Sequence, residues 1–83
     1  PVGIVRQPDP LLIETRHVLC CGDQVEYLGH VIEPDLVTVT AMEREDGTSL
    51  ERANPGNRVL LRTEPVLKRI EHHALLRKRI ESS

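Results

Sequence analysis

Short runs in which apolar and polar residues alternate, each broken by Gly, Pro or Asp, dominate the chain up to residue 63. Val25 and Tyr27 alternate with Gln24, Glu26 and Leu28 between the Gly22-Asp23 turn and Gly29. That is the two-residue period of a half-buried strand. Residues 2–5 predict a short first strand, and Gln7-Pro8-Asp9-Pro10 predicts a turn, because two prolines forbid regular pairing there. Residues 11–18 read as a second strand, with Leu11, Ile13 and Thr15 on one face and Leu12, Glu14 and Arg16 on the other. After a turn at Glu33-Pro34-Asp35, the run 36–42 is the clearest strand, placing Val37, Val39 and Ala41 on one face.

Turn chemistry fixes where these strands reverse. Asp46-Gly47 predicts a tight type I′ hairpin, since both residues tolerate positive φ, with residues 50–53 running back along the preceding strand. Asn54-Pro55-Gly56-Asn57 carries Pro at the second and Gly at the third position, which suits a type II turn leading into Arg58-Val59-Leu60-Leu61. Gly22 and Gly47 are expected in backbone conformations closed to bulkier residues, so Val at either should cost roughly 1 kcal/mol or more. Five strands follow from pattern alone. Beyond residue 64 the pattern is ambiguous. Val66, Leu67, Ile70, Ala74, Leu75 and Ile80 recur at helical intervals behind Pro65, whereas Ala74-Leu75-Leu76 would serve equally as a strand.

Composition narrows the core. Apolar residues make up 39 % of 83, and Tyr27 is the sole aromatic, so packing rests on Val, Leu and Ile, as in a compact barrel or sandwich. A single domain spanning 1–83 buries only about two-thirds of the surface of its unfolded chain. No apolar run approaches the ~20 residues of a membrane span, and the chain starts at Pro1 without a charged-then-apolar leader. A cut-out or processed piece of a soluble, cytoplasmic protein is the expectation.

The net charge of −2 hides an asymmetry: residues 1–63 carry ten acids and six bases, and 64–83 three acids and five bases. Strong non-specific nucleic-acid binding is disfavoured by the acidic balance. A local basic edge at Lys68, Arg69, Arg77, Lys78 and Arg79 could still touch a phosphate backbone beside a larger basic surface.

Chemistry is sparse. Cys20 and Cys21 are adjacent, and neighbouring cysteines form only a strained bond, so no disulfide framework is expected and a reducing setting fits. His17, His30, His72 and His73 lack paired metal-ligand spacing, so no metal or other cofactor is expected. Glu26 is a lone carboxylate on an alternating strand, where an outward-facing charge is the ordinary role. A general acid or base would need a second positioned group and a pocket, and a chain this short leaves little room for a cleft of ~300 Å³. No catalytic residue is assigned.

Gly22-Asp23-Gln24-Val25-Glu26-Tyr27-Leu28, the Asp46-Gly47 turn, Ala53 with Pro55-Gly56, Arg58-Val59-Leu60-Leu61 and the closing Ala74-Leu75-Leu76-Arg77-Lys78 run in the order and spacing of one module. The series resembles the C-terminal domain of the collagenase-like peptidase U32 family over most of the chain. In that family the Gly-Asp turn usually follows an asparagine-basic-phenylalanine run. Here His17-Val18-Leu19-Cys20-Cys21 keeps the apolar character at Leu19 and loses the aromatic. The resemblance implies an all-β fold, a small distorted β-barrel similar to domain two of translation elongation factors, with the tail as a closing strand. It also implies a larger catalytic domain elsewhere in the parent, which would be a hydrolase of the collagenase-like type or a relative that hydroxylates RNA. In some relatives an iron–sulfur cluster is held by cysteines of the catalytic domain, and Cys20 and Cys21 do not match them.

The sequence therefore predicts an accessory module that positions a macromolecular substrate, protein or RNA, with Lys68, Arg69, Arg77 and Lys78 on the substrate-facing surface. The alternative is an interaction or self-association module that presents an apolar, unpaired strand edge. The expected partners are the parent's own catalytic domain and a protein or RNA substrate, and not a membrane.

Overall fold

The computed structural model describes residues 1–29, 35–71 and 73–78. The expected turn residues Glu33 and Pro34, the histidines His30 and His72, Arg79 of the basic edge and Ile80 of the apolar repeat lie outside them.

Nine strands occur among the described residues: β1 (Gly3–Gln7), β2 (Leu12–Thr15), β3 (Leu19–Cys20), β4 (Gln24–Leu28), β5 (Asp35–Arg44), β6 (Ser49–Leu50), β7 (Arg52–Ala53), β8 (Arg58–Glu64) and β9 (Leu75–Lys78). Six of them pair in the order β4-β9-β1-β2-β8-β5, and pairing of β4 with β5 closes the ring. Every pairing in the ring is antiparallel. The chain is therefore a small all-β barrel, and no helix occurs among the described residues. Closure lets each strand bond its backbone on both sides, which removes the open edges that invite aggregation.

Side-chain alternation fills the barrel. Val5, Ile13, Val25, Val37, Val39, Val59 and Leu76 are all but sealed from solvent, and Leu19, Met42 and Ala53 join them. Each buried aliphatic side chain is worth about 1.5–3 kcal/mol relative to exposure. Tyr27 places its ring in the same core and accepts a hydrogen bond at its hydroxyl from the Glu71 backbone N–H at 2.8 Å. Gly3 is required by packing: a Cβ there would lie 2.5 Å from Ile13 Cγ2.

Several expectations change in detail. Val37 and Val39 face inward as the alternation predicts, but the register shifts between Val39 and Ala41. This bulge turns Met42 into the core in place of Ala41, which is only half-buried. The Asp46-Gly47 turn closes with Gly47 N–H donating to the Arg44 carbonyl at 2.9 Å, and only Gly47 has positive φ. A type I′ turn would need it at both central residues, so this reversal is instead a turn followed by a left-handed glycine. The returning strand pairs with β5 for two residues only, Leu50 and Ser49. It then breaks at Glu51 so that β7 can pair with β3.

The tail is a strand. Leu75–Lys78 fills the gap between β4 and β1, and the preceding residues include Arg69 and His73 at φ of 55° and 66°, outside any right-handed helix. Closing the ring yields two ladders of backbone bonds that a surface helix would leave unmade. Tertiary pairing thus overrides the helical spacing of the apolar residues.

Candidate functional site

Two glycine turns position the strands of the barrel. Cys20-Cys21-Gly22-Asp23 follows β3, and Asn54-Pro55-Gly56-Asn57 follows β7; the two strands pair antiparallel, Leu19 opposite Ala53. In each turn the fourth residue's N–H donates to the first residue's carbonyl, at 3.1 Å in both. Gly22 and Gly56 take φ of 92° and 88°, the geometry predicted for the second turn. A side-chain oxygen of the fourth residue then accepts from the first residue's N–H, at 2.8 Å for Asp23 and 2.9 Å for Asn57.

The turns dock reciprocally. Gly22 donates to the Val39 carbonyl at 2.8 Å and Val39 to the Asp23 carbonyl at 2.9 Å. Gly56 donates to the Thr15 carbonyl at 2.7 Å and Thr15 to the Asn57 carbonyl at 2.9 Å. The strands that follow also correspond, Val25 opposite Val37 and Val59 opposite Ile13. These residues build the scaffold, and none is arranged for chemistry.

The predicted basic surface separates into two parts. Arg77 and Lys78 lie on β9, where Arg77 pairs with Glu26 of β4, and Lys78 Nζ lies 3.3 Å from the Asp23 carboxylate. Glu26 therefore has a structural ion-pair partner. Lys68 and Arg69 instead lie in the irregular segment before β9, both exposed. A third charged group sits on the outer face of β1 and β2, where Glu14 accepts from Arg6 and Arg16, each at 3.0 Å. The Arg6 hydrogen bond holds the Glu14 carboxyl below the ordinary glutamate range, against partial desolvation and with help from the charges of Arg6, Arg16 and Arg58. Asp46 is lowered in the same direction, chiefly by hydrogen bonds from Thr48.

Beside Arg69 is the feature that sequence reading did not foresee. A groove of about 670 Å³ runs between the β1–β2 turn and the segment before β9, well above the ~300 Å³ that the chain's length seemed to forbid. Pro8, Asp9, Pro10 and Leu11 line one wall, and Val66, Leu67, Arg69 and Ile70 the other. Thr40 of β5 and Leu61, Arg62 and Thr63 of β8 line it as well. The signal was present as Pro-rich turn residues and as the apolar positions 66, 67 and 70, but their helical spacing obscured it. Two of the four predicted cations, Lys68 and Arg69, stand at this groove or next to it, and Arg62 joins them.

Among the described residues no three His, Cys, Asp or Glu side chains converge as a metal site, and His30 and His72 lie outside that set. Cys20 and Cys21 are free thiols, Cys21 Sγ lying 3.5 Å from the Leu50 carbonyl. No described helix is long and apolar enough to cross a membrane.

No curated protein sequence matches the chain. Two solved structures are similar to it, both of the C-terminal domain of a Geobacillus thermoleovorans protein named as a U32 peptidase. One shares 26 % identity at a TM-score of 0.80, covering 95 % of this chain and 91 % of that one. The other, a selenomethionine variant, shares 27 % at 0.78, covering 93 % and 96 %. The family model for the peptidase family U32 C-terminal domain matches residues 2–77, and with the closed barrel and its ordered glycine turns this establishes that the chain belongs to that family.

Proposed function

We propose that this barrel is a noncatalytic accessory domain of a cytoplasmic U32-type enzyme, and that it positions a macromolecular substrate, protein or RNA, for a separate catalytic domain. The observation that carries the reading is the open groove flanked by Arg62, Lys68 and Arg69 on a barrel whose other cations at β9 are already paired with acids. An acid–base reaction needs a second positioned group beside the first. Among the described residues Asp9 is the sole acid lining the groove, and no His or Cys of that set lines it. Positioning requires only surface and charge, which the groove supplies. The parent is a peptidase or a related RNA-modifying enzyme, and its catalytic domain is the barrel's constant partner.

The alternative, protein interaction or self-association through an exposed strand edge, is less favoured by a closed ring. Among the described residues the strands left outside the ring, β3, β6 and β7, are two residues long, short templates for another chain. Titration of the purified domain with transfer RNA and with a denatured-collagen peptide, at low and physiological salt, tests the proposal. Binding to either supports positioning, with salt sensitivity marking phosphate contacts. Binding to neither overturns it.

A further inference from the structure

Three properties of the groove narrow what it takes. Its surface is aliphatic: Leu61 and Leu67 are buried beneath it, and Val66, 77 % exposed, is the most exposed large apolar side chain among the described residues. Its charge is one-sided: among the described residues that line it Arg62 and Arg69 outnumber one carboxylate, Asp9, with Lys68 in the adjoining depression beyond Val66. Its wall has an open main chain: residues 66–70 make no backbone–backbone hydrogen bond among the described residues.

An extended peptide matches all three. Successive side chains of such a chain point to opposite sides, so an aliphatic residue can enter the slot while its neighbours present carboxylates to the arginines. The peptide's main chain can bond the open groups of the wall, as in strand-addition recognition. A single-stranded nucleic acid matches less well, because sequence-tolerant binding of bases relies on exposed aromatic faces. Tyr27, the one Phe, Trp or Tyr of the chain, is in the core with its hydroxyl engaged, and among the described residues no histidine lines the groove. We propose that the groove binds an extended segment of a substrate protein in which aliphatic residues alternate with Asp or Glu. This deepens the positioning role proposed above and rests on it.

The test is fluorescence anisotropy of the purified domain with a fluorescein-labelled peptide alternating leucine and aspartate, and with its leucine–lysine counterpart. The acidic peptide should bind about tenfold more tightly, an expectation for complementary exposed charges. Arg62→Glu with Arg69→Glu should reverse that order, and Val66→Asp should weaken the acidic peptide about as much. The replaced side chains are exposed, so melting temperatures should stay near that of the parent chain; Arg62→Gln with Arg69→Gln serves if the reversal unfolds it. Equal affinity for the two peptides, or an arginine variant that binds as before, overturns the inference. Salt-sensitive RNA binding that survives Val66→Asp, without peptide binding, overturns the inference and leaves positioning intact. Loss of every ligand overturns both.

Discussion

The two glycine turns that leave the β3–β7 pair at its opposite ends share one backbone plan and are closed by different chemistry. The second is neutral and internally satisfied. Thr15, the one buried polar residue among the described residues, donates its hydroxyl to the Asn54 carbonyl at 2.6 Å, with the Asn57 carbonyl 3.0 Å away. The first rests on Val39, which offers only its backbone, and its Asp23 carboxylate reaches across to Lys78 on β9. A hydroxyl–carbonyl bond in the interior is indifferent to salt, whereas a partly exposed ion pair is not. One turn is thus locked locally, and the other is tied to the strand that closes the barrel.

The sharpest test of the shared plan is at the point where the two units meet. Leu19 and Ala53 lie directly opposite each other, both fully buried. Leu19→Ala should cost about 2–5 kcal/mol through lost contact and a residual cavity, and Ala53→Leu about 1–3 kcal/mol through overpacking. Because opposite residues share one space, the double exchange should cost clearly less than the two single costs added, as read by urea unfolding. Additivity within ~0.5 kcal/mol would mean that the positions are independent and would break the comparison.

Next in size is the difference between Thr15 and Val39. Thr15→Val removes one buried hydroxyl bond and should cost about 1 kcal/mol. The converse, Val39→Thr, ordinarily strands a hydroxyl at about 1–3 kcal/mol. Here the Cys20 carbonyl stands where Asn54 stands in the other turn, so the penalty should fall below ~1 kcal/mol. Denaturant midpoints of the two variants decide the matter, and a full penalty at Val39→Thr would show that the turns correspond in backbone only.

Much of this was readable from residues whose effects are local. Gly22, Pro55-Gly56 and the alternation of Val25 and Tyr27 marked turns and faces directly, because φ limits and the strand period act over a few positions. What escaped depends on pairing between distant segments. The bulge that exchanges Ala41 for Met42 answers to β8, and the break at Glu51 answers to β3. The groove escaped for the same reason, being made where the Pro8-Asp9-Pro10 turn meets a segment more than fifty positions later. Charge alone points to Arg77 and Lys78 as part of a binding surface and is silent on what they pair with. Their partners, Glu26 and Asp23, become neighbours only once β9 docks against β4.

A smaller effect separates the turns by salt. Lys78→Ala removes the first turn's ion pair and should lower stability by a few tenths of a kcal/mol at low ionic strength, an effect fading toward ~1 M salt. Asn57→Ala removes the neutral counterpart, the bond from the Asn54 N–H, and its cost should not change with salt. Thermal melts at two salt concentrations read both. A salt-independent loss at Lys78→Ala would assign that residue to packing against β9's neighbours and not to charge.

The smallest expected effect is a slope, and it lies next to the neutral turn. Glu14 precedes Thr15 and pairs across strands with Arg58, which follows Asn57. Its carboxyl is held below the ordinary glutamate value in the folded chain, so the unfolded chain binds the proton more tightly. The stabilisation is complete above the unfolded value of about 4.5 and is lost as pH falls through the lower folded value. Glu14→Gln should therefore destabilise the barrel at neutral pH and flatten the decline of its melting temperature below about pH 4.5. Asp46, lowered by Thr48 in a separate turn, keeps its own share of the acid slope in that variant and serves as the internal control. An unchanged slope in Glu14→Gln would mean that the Arg6–Glu14–Arg16 cluster does not act on stability.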